Sequence, residues 1–158
     1  METTQHDHHV SAIPKGYHAV TPYIIVDEPA RALEFYEKAL GAKIINKMEL
    51  SPGEIVHAEF KVGDSIIMMA GNSPEMHLQP QRGEFRSVSF MVYVPDVDKA
   101  AERALAAGMK MMKEVRDQFY GDRTGTFEDP FGHVWTLGTH IEDVSPEELK
   151  RRAERVYN

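Results

Sequence analysis

The stretch from Val20 to Gly41, VTPYIIVDEPARALEFYEKALG, decides the fold because its order of elements recurs later in the chain. Residues 20–26 alternate between two faces, and a period of two predicts a β-strand. Asp27 is a candidate N-cap, and Pro29 suits the first turn of a helix. The apolar residues that follow recur at near-helical spacing until the glycine at position 41, which suits a helix end.

Three further strands are predicted after this helix. They lie at about 43–49, 55–61 and 65–70, and turns at Ser51-Pro52-Gly53 and Gly63-Asp64 separate them. A stretch rich in Pro, Gly, Gln and Asn follows at residues 72–86 and is interpreted as a linker.

The same order of elements then returns. Residues 87–94 alternate, Asp96 is a second candidate N-cap, and an Ala-rich helix over 97–107 stops at Gly108. Strands are predicted at about 109–115, 123–128 and 133–139.

Three pairs of landmarks measure the repeat. They are Val26 and Val94, 68 residues apart, Gly41 and Gly108, 67 apart, and Gly63 and Gly132, 69 apart. Because landmarks of different kinds agree within two residues, the sequence predicts two copies of one βαβββ unit.

Composition limits the possible functions. The chain has 158 residues, no cysteine and a net charge of −7, which predicts one globular domain without thiol chemistry and a poor match to nucleic acid. No apolar run is long enough to span a bilayer, so no membrane partner is expected, and a cytoplasmic location is the expectation.

The two ends of the chain are expected to lie outside the repeat. Residues 1–16 are predicted to be a flexible tail, in which His6, Asp7, His8 and His9 offer a transition-metal chelate or simply a solvated end. Residues 143–158 are predicted to form a C-terminal helix that begins with the capping box Ser145-Pro146-Glu147-Glu148.

A βαβββ unit that occurs twice, with an Asp129-Pro130-Phe131-Gly132 turn before the last strand, resembles the vicinal oxygen chelate (glyoxalase and bleomycin-resistance) superfamily. The matching segments are 26–36, 40–41 and 129–135, the resemblance covers residues 20–140, and the stretch from Phe119 to His133 is closer to the PhnB-like branch. The resemblance implies an α+β fold in which two βαβββ modules form a curled mixed β-sheet cavity, with helices on the convex side.

The predicted domain therefore spans residues 17–142, with module one at 17–71 and module two at 87–142. The resemblance also implies which residues of the first strands look into the cavity. They are Thr21, Tyr23 and Ile25 in module one, and Ser87, Ser89, Met91 and Tyr93 in module two, while Val88, Phe90, Val92 and Val94 would pack on the helices.

Metal-dependent members of the superfamily hold their ligands at four positions, which correspond here to Thr21, Ile67, Ser89 and Thr136. None of the four is a histidine or a carboxylate, and Ile67 has no donor atom. We therefore predict no bound metal and no other cofactor.

Two kinds of residue remain as candidates for catalysis. His57 and Glu59 would share one face of a strand, either as an acid/base pair or as ordinary polar residues of an exposed face, of which we favour the second. Tyr120 is a further weak candidate, whereas His133 and His140 are interpreted as structural.

The candidates for ligand binding include the four residues at the superfamily's metal-ligand positions, Thr21, Ile67, Ser89 and Thr136. Tyr23, Met91, Tyr93 and Met68 or Met69 could form a soft apolar lining or simply fill the core. Arg123, beside aromatic residues, could hold an anionic ligand group or pair with Asp122 or Glu128.

Three functions remain open. The favoured one is a metal-free protein that binds a small molecule in the cavity between its two modules, as in the drug-sequestering members of the superfamily. The alternatives are a metal-independent isomerase or lyase of the same superfamily and a non-catalytic interaction module. The resemblance also implies a homodimer.

Overall fold

A computed structural model describes residues 10–158 and shows each βαβββ unit as a four-stranded sheet with one helix on it. The His-rich stretch with His6, His8 and His9 lies outside the described residues. The elements of module one are β1 (Tyr23–Ile25), α1 (Pro29–Leu40), β2 (Lys43–Ser51), β3 (Glu54–Val62) and β4 (Ser65–Ala70). Those of module two are β5 (Phe90–Tyr93), α2 (Val97–Ala107), β6 (Lys110–Asp117), β7 (Asp122–Glu128) and β8 (Val134–His140), and α3 (Pro146–Tyr157) ends the chain.

Both sheets have the same topology. Their strand orders are β1-β4-β3-β2 and β5-β8-β7-β6, and in each the first strand runs parallel to the last while the other neighbours are antiparallel. Tyr23 lies opposite Met68, and Met91 lies opposite Thr136, so equivalent pairs are 68 residues apart. The predicted duplication and the α+β two-module architecture are therefore confirmed.

The helices begin and end where local signals place them. Asp96 accepts a hydrogen bond from the Lys99 amide and caps α2, and Gly41 and Gly108 adopt the left-handed conformation that ends α1 and α2. Ser145 caps α3 by accepting from the Glu148 amide, as its sequence predicts.

Three local predictions were wrong. Asp27 does not cap α1, because the N-cap position belongs to Glu28 and the Asp27 carboxylate pairs with Arg82 of the linker. β1 and β5 are also shorter than the alternation suggested. Val88 lies before β5 and is 65% exposed, so it does not pack on a helix.

One hydrophobic core joins the two modules. The largest fully buried side chains include Tyr36 on α1, Phe60 on β3, and Trp135 and Leu137 on β8. Tyr36 stacks on Phe60 with ring centroids 5.1 Å apart and contacts Trp135 at 5.5 Å. Trp135 and Leu137 alternate with Thr136 along β8, and both side chains face this core.

A buried carboxylate, Asp129, stands at the junction of the modules with only 2% of its surface exposed. It accepts hydrogen bonds from the Tyr36 hydroxyl at 2.6 Å and from the Trp135 indole at 2.9 Å. It also accepts from the backbone amides of Phe131 and His133, which fixes the turn before β8. Burial and the neighbouring Asp129 charge raise the pKa of Tyr36 well above its usual range, so this phenol stays a donor.

Two further contacts fasten the modules together. The His133 Nε2 atom lies 3.0 Å from the carbonyl oxygen of Ile25, which supports the structural role predicted for this histidine. Arg103 of α2 donates to the carbonyls of Glu37 and Lys38 at the end of α1, where a positive charge also complements the helix dipole.

We predict that Asp129→Ala lowers the free energy of unfolding by about 3 kcal/mol or more, because the Tyr36 hydroxyl and Trp135 indole lose their acceptor in a buried setting. Urea unfolding followed by circular dichroism measures this. Glu37→Ala, on the exposed side of α1, is the matched control and should change the value by less than about 0.5 kcal/mol. Similar losses in the two variants would contradict the role given to Asp129.

Candidate functional site

Each sheet has a second face, opposite its helix, which we call the open face. Glu59, Met68 and Tyr23 lie in line across β3, β4 and β1, while their neighbours Ala58 and Met69 belong to the core. Tyr23 therefore faces away from the core, as the resemblance implies. In module two the same reasoning places Met91, Thr126 and Thr136 on the open face.

A cleft of about 460 Å³ lies between the two modules, and we call it the intermodule cleft. Module one supplies its β3–β4 turn and one side of β4, and module two supplies β5 and Trp135. The lining residues are Pro22, Val62, Gly63, Asp64, Ser65, Ile67, Phe90, Met91, Val92, Tyr93 and Trp135. Most of this wall is apolar or aromatic, and Asp64 and Ser65 are its main polar groups.

A hydrogen-bonded chain of four side chains occupies the open face of module one. The Tyr17 hydroxyl donates to Glu59 Oε2, the other oxygen of Glu59 lies 3.3 Å from His57 Nε2, and His57 Nδ1 lies 2.9 Å from the Tyr23 hydroxyl. Glu59 is only 8% exposed. The expectation of ordinary polar residues on an exposed face was therefore wrong for Glu59, which is buried and hydrogen-bonded to His57.

The two phenols of this chain are held in the neutral form. The hydrogen bond to Glu59, with burial and the Glu59 charge, raises the pKa of Tyr17 above its usual value of 10.0. Burial, with the charges of Glu59 and Glu75, does the same for Tyr23. Tyr17 and Tyr23 are therefore hydrogen-bond donors near neutral pH rather than phenolate nucleophiles.

Module two carries a different set of hydrogen-bonded polar side chains on its open face. Asp122, 5% exposed, accepts from the Tyr93 hydroxyl at 2.8 Å, and its other oxygen lies 2.7 Å from His140 Nδ1. His140 Nε2 lies 2.7 Å from Asp143, so the imidazole bridges two carboxylates. These hydrogen bonds, first that to Asp122 and then that to Asp143, raise the pKa of His140 above 6.5.

Three of the four positions implied for metal ligands need correction. Met68, not Ile67, is the register equivalent of Thr136, because this position follows the turn glycine by five residues in module one (Gly63) and by four in module two (Gly132). Ile67 instead belongs to the hydrophobic core, and its edge reaches the intermodule cleft.

The donors at the register-matched positions do not fit a metal ion. Thr21 and Ser89 lie before β1 and β5, and the residues beside Met68 and Thr136 are Tyr23 and Met91. The matched set of Tyr23, Met68, Met91 and Thr136 lacks both carboxylate and imidazole, the usual side-chain donors to divalent ions in the superfamily that this sequence resembles. Within residues 10–158, no group of three or more His, Asp or Glu side chains is placed to hold a metal. No step of a reaction is therefore assigned to a metal.

The other predicted site residues are scattered. Arg123 lies on the helix side of β7 and forms ion pairs, as one of its two interpretations expected, but its partners are Asp98 and Asp117 instead of Asp122 or Glu128. Ser89 is exposed before β5, and Thr21 is half-buried before β1. Tyr120 lies in the loop before β7, in the other module from His57.

Two residues of these hydrogen-bonded sets could not be identified from the sequence. Tyr17 is separated from Glu59 by 42 residues, and no motif links them. Asp122 was considered as a partner of Arg123, and the β7–β8 register brings it to His140 instead.

We predict that stability falls as the pH rises through the raised pKa of folded His140. A histidine whose pKa is higher in the folded state stabilises the fold fully below its unfolded value of 6.5 and loses that contribution above its folded value. Urea unfolding at about pH 5.5 and about pH 8.5 should show that the free energy of unfolding falls less between the two pH values in His140→Gln than in wild type. His18→Gln, at an exposed position, should keep the wild-type fall, and an equal fall in all three proteins would refute the assignment.

Comparison with known proteins agrees with this architecture. An uncharacterized protein from Mycobacterium tuberculosis is 32% identical over 136 residues, which cover 84% of this chain and 80% of that protein. TioX from Micromonospora sp. ML1 matches with a TM-score of 0.60 at 22% identity, over 81% of this chain and all of TioX (100%). The fosfomycin resistance protein FosX from Listeria monocytogenes matches with a TM-score of 0.59 at 19% identity, over 84% and 97% of the two chains.

These two structures share the fold. The family model described as Glyoxalase/Bleomycin resistance protein/Dioxygenase superfamily matches residues 8–137, which is most of the sequence. The chain therefore belongs to the glyoxalase/bleomycin resistance protein/dioxygenase superfamily.

Proposed function

We propose that this protein binds a small, largely apolar organic molecule in the intermodule cleft without the help of a metal ion. The observation that carries the proposal is the cleft itself, about 460 Å³ in volume and lined by both modules. Small-molecule sites in proteins usually measure roughly 300–1,000 Å³ and have mostly apolar walls with a few polar groups.

The walls indicate which ligands would fit. Phe90 stacks on the fully buried Trp135 with ring centroids 4.7 Å apart, which holds the Phe90 ring in place as a flat surface on which an aromatic ring can lie. Met91, 42% exposed, can adjust to irregular shapes. Asp64 at the rim and the net charge of −7 favour neutral or cationic compounds over anions.

The volume also limits the size of the ligand. A glycopeptide antibiotic is much larger than the cleft and could place only one of its groups inside. Aromatic drugs of one or two fused rings fit within about 460 Å³ and are therefore the first probes to use. The resistance functions named for the superfamily and for FosX motivate a drug panel, but do not identify the ligand.

We expect at least one compound of a panel of cationic one- and two-ring aromatic drugs to raise the melting temperature in a thermal-shift screen. A ligand at 100 times its dissociation constant stabilises the native state by about 2.7 kcal/mol, which corresponds to several degrees for a protein of this size. The Met91→Trp variant, which fills the cleft, should lose the shift. Val156→Trp, on α3 and away from the cleft, is the control and should keep it. No shift with any compound, or equal shifts in both variants, would argue against binding in the cleft.

We also propose that two copies of the chain associate through their edge strands. Every residue of β2 is exposed, and its large apolar side chains include Ile44, Ile45, Met48 and Leu50. β6, the edge strand of the other sheet, exposes Met111 and Met112. A long apolar edge strand left in water is prone to uncontrolled pairing, so a second copy is its natural cover.

Light scattering should therefore give the mass of a dimer at micromolar concentration. The double variant Met48→Lys/Leu50→Lys should shift the mass to that of a monomer, because two charges on β2 oppose burial. Val156→Lys, at a comparably exposed site on α3, is the control and should remain dimeric. A monomeric wild-type protein would contradict the proposal.

A further inference from the structure

The segment of residues 10–20, which we call the strap, crosses to the open face of module one without forming a helix or strand. All of its residues are exposed except Tyr17, which is half-buried. Its other hydrogen bonds are short-range, from the Tyr17 amide to the Pro14 carbonyl and from the Thr21 hydroxyl to the His18 carbonyl. Among the described residues, the bond from the Tyr17 hydroxyl to Glu59 alone ties the strap to the sheet.

The receiving side of this contact lies within the sheet and is largely buried, unlike the exposed strap. Glu59 lies on β3 between β2 and β4, and its side chain is 11% exposed. His57 holds the second oxygen of Glu59 and is held in turn by Tyr23 of β1. A buried carboxylate needs hydrogen-bond donors, and here the sheet supplies one and the strap supplies the other.

We propose that Glu59, His57 and Tyr23 form a binding site for aromatic hydroxyl compounds, and that Tyr17 is a built-in occupant which such a compound displaces. The site takes a phenol because a phenol already sits there, with its hydroxyl on a buried acceptor. This site is on the open face and is separate from the intermodule cleft, so it does not depend on ligand binding in the cleft.

The chemistry of the site fits a neutral phenol. Glu59 accepts a hydrogen bond from the hydroxyl, and because the carboxylate is charged this bond is stronger than one between neutral groups. The negative charge of Glu59 opposes ionisation of the bound hydroxyl, as the raised pKa of Tyr17 illustrates. The site therefore holds a phenol as a donor and does not convert it to a phenolate.

The strap weakens binding of external compounds because it competes from within the same molecule. A group attached by a short flexible segment acts at an effective concentration in the millimolar range. An external phenol must exceed that competition before it displaces Tyr17, and removal of the Tyr17 side chain should remove the competition.

The test uses p-cresol, the free form of the tyrosine side chain, titrated into the full-length protein and followed by NMR of the backbone amides. We expect Tyr17→Ala to bind p-cresol about tenfold or more tightly than wild type, because a charged acceptor is freed. Shifts should centre on residues 57–59 and Tyr23, and toluene, which lacks the hydroxyl, should bind at least several-fold more weakly. His18→Ala, the neighbouring strap variant, should behave as wild type.

The double variant Tyr17→Ala/Glu59→Gln should bind p-cresol about tenfold more weakly than Tyr17→Ala, since the acceptor is then uncharged.

Tyr17→Phe provides a milder second measurement, because it removes only the hydroxyl. Trypsin should cleave after Lys15 faster in this variant than in wild type, and p-cresol should accelerate the cleavage of wild type. Equal p-cresol affinities in wild type and Tyr17→Ala, absence of binding in a folded Tyr17→Ala protein, or equal binding of toluene would overturn the proposal.

Discussion

The hydrogen-bonded carboxylate of Asp129 is the constraint on which the remaining structure depends. It accepts a hydrogen bond from a side chain of each module, Tyr36 of α1 and Trp135 of β8. It also accepts from two backbone amides of the turn that joins β7 to β8. Trp135 in turn supports Phe90, and these two rings form one wall of the intermodule cleft. The position of the cleft wall is therefore set by a polar group that is not itself in the cleft. Loss of this carboxylate would loosen the core and the proposed binding surface together.

The duplication conserves backbone register while it changes the chemistry of the open faces. Equivalent positions on the two sheets pair Tyr23 with Met68 in one module and Met91 with Thr136 in the other. Glu59 lies opposite Met68, and Thr126 lies opposite Thr136, to which it is hydrogen-bonded at 3.0 Å. A buried face tolerates few changes because it must stay close-packed, whereas an open face can change donors without cost to the fold.

The parts of the fold that could be predicted are those with local causes. The bounds of α2 follow from an N-cap and a C-terminal glycine, and they match the structure residue for residue. The ends of β1 and β5 could not be predicted, because pairing with the last strand of each module decides where they begin. The choice of Ile67 over Met68 failed for a related reason, since a difference of one residue in the spacing from the turn glycine moves a position to the other face of the strand.

The candidate site was predicted only in pieces. His57 and Glu59 were recognised as residues of one face, but the second hydrogen-bond partner of Glu59 is Tyr17, which is distant in sequence. Arg123 was recognised as a potential anion holder, but two carboxylates of α2 and β6 neutralise it. Contacts across a fold are set by topology, and a single sequence records them only where a motif exists.

Three buried carboxylates, Glu59, Asp122 and Asp129, each accept a hydrogen bond from a tyrosine, and their remaining partners distinguish their roles. Asp129 is held by donors that are all fixed in the core or the backbone, so it can only be structural. Asp122 shares its second oxygen with His140, whose charge changes with pH, so its interaction is adjustable. Glu59 alone depends on a donor from an exposed strap. A buried carboxylate needs a hydrogen-bond donor, and that donor can come from the chain itself or from a ligand. Because its donor Tyr17 can be displaced, Glu59 is the carboxylate best suited to bind a ligand.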